Sequence, residues 1–318
     1  MKRILCCGAG GFIGSHLVKF LKEKGEWVRG VDLKYPQWSK SPADEYWEMD
    51  LRYEGNCLEA TKGIDEVYNL AADMGGMGFI IGNSSQIIHN NSLVNINTLE
   101  ASRKNKVKRY FFSSSVCVYP VHRLKDINPG LLKEEDAYPA NPQEGYGWEK
   151  LFHEIRCRYL WEEYGFETRV ARFQNCYGPE GTYEGGREKV PAALCRKVIL
   201  AKDGTDIEIW GDGEQTRSFM YVDDCLEGVY SLMNSDVREP VNLGRNKNIS
   251  INDFAKMVIG ISGKTLKIRH IEGPQGIRGR NFDDSKAKKL LNWQEKVPLE
   301  VGIERVYRWL EKQLSSKV

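Results

Sequence analysis

The chain has 318 residues, long enough for one large domain or two closely associated ones around a substantial core. Lys+Arg number 46 against Asp+Glu 44, so neither nucleic acid nor a membrane surface is expected as a partner, and the apolar stretches are too short to span a bilayer. The opening Met1-Lys-Arg-Ile-Leu-Cys-Cys-Gly8 lacks a signal peptide's long apolar segment, and the eight cysteines and five histidines show neither disulfide-scaffold nor zinc spacing, which predicts a reduced, cytoplasmic protein with no bound metal.

In chain order, Arg3–Cys7 reads as a short apolar strand and Phe12–Lys24 carries helical periodicity. Trp27–Asp32 is a second strand, Glu45–Leu51 a third and Glu66–Ala71 a fourth. A long helix lies within Ser84–Lys104, a strand at Arg109–Ser115, a helix from Gln143 to Tyr164, and a further strand at Thr168–Phe173. Strands separated by helical segments argue for a parallel sheet with helices on both faces. Beyond Asn175 longer loops rich in glycine and charge (178–189, 211–217 and 272–284) separate shorter helices. That change predicts a smaller mixed α/β substrate domain, residues 175–318, interleaved with a nucleotide domain of residues 1–174. The closing helix, Leu299–Leu314, reads as an amphipathic packing element.

Gly8-Ala-Gly-Gly11-Phe12-Ile13-Gly14 falls between the first strand and the first helix. Glycines at 8, 11 and 14 permit a tight turn, close approach of a pyrophosphate and close helix–strand packing, with the phosphate at the helix N-terminus. Asp32 ends the second strand, where a carboxylate accepts from both ribose hydroxyls and repels a 2′-phosphate. These features predict a Rossmann-type doubly wound sheet that holds NAD in preference to NADP. Asp50, at the end of the third strand, is a further candidate beside the adenine.

Tyr146-Gly-Trp-Glu-Lys150 places a tyrosine and a lysine one helical turn apart, on one face. A phenol near pKa 10 is a poor base at neutral pH. An adjacent ammonium and a positive nicotinamide favour phenolate, so Tyr146 is expected to take a proton from a substrate hydroxyl as hydride leaves its carbon. Ser114 or Ser115 holds that hydroxyl; Ser115 is preferred because it lies two residues before Cys117. The thiol of Cys117 beside this machinery suggests a second chemistry, proton transfer at carbon.

Five segments carry a resemblance: Ala71-Ala-Asp-Met-Gly-Gly-Met-Gly-Phe79, Ser114-Ser-Val-Cys-Val-Tyr-Pro120, Arg172-Phe-Gln-Asn-Cys-Tyr-Gly-Pro179, Gly185-Gly-Arg-Glu-Lys-Val-Pro191 and Trp210-Gly-Asp-Gly-Glu-Gln-Thr-Arg-Ser-Phe219. They resemble the extended short-chain dehydrogenase/reductase superfamily, which modifies nucleotide sugars, and within it the branch acting on GDP-mannose at C3 and C5. The resemblance covers essentially the whole chain. It implies a tightly held NAD, transient oxidation at C4, inversion at C5 and C3, re-reduction to GDP-L-galactose and GDP-L-gulose, and a homodimer. It makes Cys117 and Lys189 the acid–base pair. It also implies sugar-nucleotide contacts from Gly75 and Met77, in a glycine-rich loop, and from Asn175, Glu188, Lys197, Gln215, Arg217 and Arg278. Trp148 and Gln174 depart from the usual leucine and histidine.

Rival readings each leave something unexplained. A 4,6-dehydratase needs a carboxylate beside the serine, where Val116-Cys117 offers none. A 4-epimerase needs only serine, tyrosine and lysine. An epimerase/reductase of the GDP-fucose type pairs its cysteine with a histidine and consumes NADPH, against Lys189 and Asp32 here. A non-catalytic dinucleotide-binding regulator would have no use for the serine, tyrosine, lysine and thiol together.

Overall fold

In the computed structural model, which describes residues 1–128, 130–273 and 277–316, the apolar runs of the first half enter one sheet. Its elements are β1 (Arg3–Cys7), α1 (Phe12–Glu23), β2 (Trp27–Asp32), β3 (Glu45–Glu48), α2 (Glu54–Ala60), β4 (Glu66–Asn69), α3 (Met77–Gly82), α4 (Ser84–Lys104), β5 (Arg109–Ser115), α5 (Glu144–Tyr164) and β6 (Thr168–Phe173). The second half contributes β7 (Asn175–Tyr177), α6 (Val190–Leu200), β8 (Asp206–Trp210), β9 (Thr216–Arg217), β10 (Phe219–Tyr221), α7 (Val222–Met233), β11 (Val241–Leu243), β12 (Ile249–Ser250), α8 (Ile251–Ser262), β13 (Lys267–Ile271), α9 (Ser285–Leu291) and α10 (Leu299–Ser315).

The large sheet has seven strands in the order β11-β6-β5-β4-β1-β2-β3, all parallel. Strands β4 and β6 are buried along their whole length, as expected when helices cover both faces. The order reverses between β1 and β4, which opens a crevice beyond the carboxyl ends of the strands. The expected doubly wound α/β fold is present.

Residues after 174 do not form a separate body. Strand β11 pairs with β6 in the large sheet, and one apolar cluster runs from Ile4 and Leu17 through Phe219 and Phe254 to Val306 and Leu310. Among the described residues three two-stranded pairs, β10 with β7, β12 with β9 and β13 with β8, lie outside the large sheet. Several expected boundaries move. Strand β3 stops at Glu48, so Asp50 sits in the following turn, and β4 stops at Asn69. Met77 opens α3 instead of lying in a loop; its side chain is outside the described residues. Helix α2 is two turns long and contains a glycine, too little for a periodic signal.

Candidate active site

The glycine turn is built by backbone alone. Gly8 has φ +82°, and a Cβ there would stand 2.8 Å from the Ala71 nitrogen. A methyl group on Gly14 would overlap the Gly8 carbonyl. At Gly11 the nearest protein atom to a Cβ is the Gly8 carbonyl at 3.3 Å, so the space above it is open. Gly11 caps α1 without a side-chain hydrogen bond, leaving the first-turn N–H groups available to an anion. Asp32 accepts from the Gly10 N–H at 2.9 Å; burial pushes its carboxyl up and the backbone donors pull it back. Asp50 is held by Arg52 at 2.7 Å, which keeps its carboxyl below the usual range.

From this turn a cleft of about 680 Å³ runs along the carboxyl ends of β1, β4, β5 and β6. Gly8, Gly11, Phe12, Ile13, Gly14, Asp32 and Asp50 line one end; Gly75, Ser115, Tyr146, Lys150 and Lys189 line the other. Helix α10 reaches it through Val306, a buried residue of the main apolar cluster.

Helix α5 presents Tyr146 and Lys150 on one buried face, with the ammonium 5.5 Å from the Tyr146 ring centre and 4.8 Å from that of Phe112. Alternation along β5 sends its two terminal serines opposite ways. Ser115 hydrogen-bonds Tyr146 and accepts from the Cys117 N–H at 3.2 Å. Ser114 instead donates to Glu154, one turn beyond Lys150 on α5, whose carboxylate pairs with Arg172 of β6 at 2.7 Å. The phenol of Tyr146 stands well above its ordinary value: burial dominates, Cys117 and Glu149 add to it, and the Ser115 hydrogen bond opposes them. Burial thus works against the phenolate that Lys150 and a positive nicotinamide are expected to favour.

Cys117 is buried at the tip of β5, in the short 3-10 turn Val116–Val118. Arg280 Nη1 lies 3.8 Å from its sulfur, while Arg280 Nη2 donates to Gln143, whose own N–H donates to the Cys117 carbonyl at 2.9 Å. Charge interactions connect Cys117 with both Tyr146 and Lys189. Lys189 caps α6, and burial lowers its pKa against the opposing pull of Cys176, Cys117 and Cys225. Ser115, Tyr146, Lys150 and Lys189 thus line one end of the cleft, and Cys117 follows Ser115 by two residues with its N–H on that serine's hydroxyl.

The expected sugar-nucleotide residues are placed less uniformly. Arg217 is next to Arg280 and Cys117 and is pushed down to about 10 by burial, with Nη2 donating to the Ile277 carbonyl at 2.8 Å. The Gln215 Oε1 and Glu188 Oε2 oxygens are buried without a hydrogen-bond partner among the described residues. By contrast Asn175 donates to the Ser218 carbonyl at 3.0 Å, Lys197 to the Glu208 carbonyl at 2.8 Å, and Arg278 pairs with Asp212 at 2.9 Å. None of these six side chains lines the cleft. Sequence reasoning took Arg278 and passed over Arg280 two positions on, and it missed Gln143, Asn91 and Glu149.

The model of the Epimerase group, described as the NAD dependent epimerase/dehydratase family, matches residues 4–244. The chain belongs to that family. Among its relatives this epimerase/dehydratase is 46% identical over 317 residues to GDP-mannose 3,5-epimerase of Arabidopsis thaliana, covering 99% of this chain and 84% of that one. It superposes with TM-score 0.88 and 27% identity on UDP-glucose 4-epimerase of Thermotoga maritima with UDP-glucose, covering 98% and 99% of the two chains. With UDP-glucuronic acid 4-epimerase of Bacillus cereus, in complex with UDP-glucuronic acid and NAD, the TM-score is 0.81 at 28% identity, covering 98% and 99%. NAD is the family's cofactor, and the residues here fit it: an uncapped helix N-terminus above Gly11 for the pyrophosphate, and the Asp32 carboxylate for the ribose.

Proposed function

We propose that this family member is a GDP-mannose 3,5-epimerase, converting GDP-D-mannose to GDP-L-galactose and to the C5 epimer GDP-L-gulose through a transient C4 ketone. The observation that carries this reading is Lys189 lining the same cleft as Ser115, Tyr146 and Lys150, with the Cys117 N–H bonded to the Ser115 hydroxyl. Bound NAD supplies hydride acceptance and return at C4. Ser115 holds the C4 hydroxyl while Tyr146 removes its proton and later restores it. A C4 ketone acidifies the hydrogens on both neighbouring carbons, which an unactivated sugar does not release. Inversion then needs a base on one face of the ring and an acid on the other, and the thiol and the amine supply them. Burial of Lys189 favours the neutral amine, which brings it closer to use as a base near neutral pH.

Arg217 and Arg280 beside the thiol suit a sugar diphosphate, since a planar guanidinium makes paired hydrogen bonds to such oxygens. The protein is read as a cytoplasmic homodimer. Half-exposed Trp148, Phe152 and Tyr159 on α5 with Ile88 on α4 support pairing of two copies, and eight free cysteines support a reducing compartment. The test is incubation with GDP-mannose and separation of the sugar nucleotides. GDP-L-galactose and GDP-L-gulose without net NADH are expected. A product changed only at C4 would make the protein a 4-epimerase, and net consumption of NADPH by a keto-deoxy sugar would make it an epimerase/reductase.

A further inference from the structure

Lys150 is a buried ammonium, and a buried charge needs a partner. Among the described residues the carboxylate within ion-pair reach is Glu149, its neighbour in sequence, at 3.7 Å. Adjacent residues on a helix do not share a face, so Glu149 turns away from the cleft toward α4 while Lys150 and Tyr146 face it. There the Asn91 amide donates to Oε1 at 2.9 Å and the Asn95 amide to Oε2 at 3.3 Å. Both amides are fixed in turn: Asn91 Oδ1 accepts from the Asp73 N–H at 2.6 Å, and Asn95 Oδ1 from Asn69 Nδ2 at 2.8 Å. The side chain of Glu149 has no exposed surface, so this arrangement does not serve solubility.

We propose that Glu149 is a positioning residue for the proton-transfer pair: its carboxylate, clamped by Asn91 and Asn95, anchors the Lys150 ammonium and offsets positive charge that would otherwise keep Tyr146 from returning its proton. The inference rests on the role of Tyr146 assigned above. A dehydrogenase that releases its product needs only a good base. A redox-neutral epimerase needs the same phenol to be a base in the first half of the cycle and an acid in the second. Lys150 and the nicotinamide both pull the phenol toward phenolate; Glu149 pulls the other way and is among the groups that raise it. Other charged or titratable groups around the pair, among the described residues, are Cys117 beyond β5 with Arg280 beside it, Lys189 at α6, Asp73 after β4, Glu154 one turn beyond Lys150 and paired with Arg172, and His153 on α5, which burial holds neutral. Helix α4 contributes neutral amides to the carboxylate.

The test uses the intact protein with its NAD, GDP-mannose as substrate, and absorbance of the reduced nicotinamide as the readout across pH. In Glu149→Gln the acid limb of cofactor reduction should move down by about one pH unit, the low end of what one charge within about 4–6 Å does. Reduced cofactor should also accumulate at steady state, because the phenol gives its proton back less readily. Asn95→Leu removes one donor and leaves the carboxylate less ionised, so it should move the limb the same way by less; it keeps the question answerable if Glu149→Gln does not fold. An unmoved limb with cofactor bound and thermal stability retained would overturn the proposal, as would a limb moved upward. Failure of the C3/C5 reading shows up separately, as absent deuterium exchange in the unaltered protein while cofactor reduction still reports the Tyr146 step.

Discussion

The two ends of the cleft are made differently. At the nucleotide end Gly8, Gly11, Gly14 and Asp32 lie within one β-α-β stretch, and backbone geometry alone shapes the cradle. At the sugar end Cys117, Lys189 and Arg280 come from three distant segments and are held by side-chain contacts such as Gln143 to Arg280. Several residues expected there, among them Arg278 and Lys197, hydrogen-bond to other parts of the protein. A local cradle is rigid and shared across a family; a site assembled from distant segments is where the reaction is chosen.

The comparison can be broken most severely at the cradle. Gly14→Ala places a methyl group on the Gly8 carbonyl, so the purified protein should lack NAD and show no turnover; absorbance of extracted cofactor reads this directly. A Gly14→Ala protein with full cofactor would mean that the turn is not prebuilt. Cys117→Ser acts at the other end only: NAD should stay bound while proton exchange falls by roughly 10²–10⁴-fold, the usual contribution of a positioned acid or base.

Smaller effects separate the ends further. Lys189 has its pKa lowered by burial, so the native state binds fewer protons there than the unfolded chain does. The neutral amine is reached at lower pH than for an ordinary lysine, and Lys189→Met should remove that limb from the exchange profile while raising thermal stability at neutral pH. Arg278→Ala, which breaks a solvent-screened pair with Asp212, should raise KM for GDP-mannose several-fold with kcat little changed if the arginine turns to the diphosphate on binding. An unchanged KM would leave Arg278 outside the sugar end.

The smallest effect lies behind the site. His153 is pushed down to about 3 by burial, and neither ring nitrogen has a hydrogen-bond partner among the described residues. Its contribution is complete above the unfolded value near 6.5 and declines as pH falls toward the folded one. His153→Leu should flatten that acid decline in thermal unfolding curves; an unchanged slope would mean other groups carry it.

What could be read from the chain follows the same division. The strand, turn and carboxylate of Gly8 to Asp32 were legible because their chemistry is spaced along a short sequence. Helix α5 was legible from Tyr146 and Lys150 being one turn apart, and β5 and β6 matched to the residue. Arg280 was not, because its partner Cys117 lies 163 residues away and nothing local distinguishes it from Arg278. Glu149, Asn91 and Asn95 look like ordinary polar positions on two helices until α4 packs on α5 and buries them. Tyr146 marks a different limit: its neighbours along the helix were legible, but its burial, which no spacing reveals, was not.

The account stands most directly on where hydrogen exchanges. GDP-mannose incubated with the holoprotein in deuterated water and followed by NMR should gain deuterium at C3 and C5 with no net change in cofactor. Deuterium at neither carbon would contradict it.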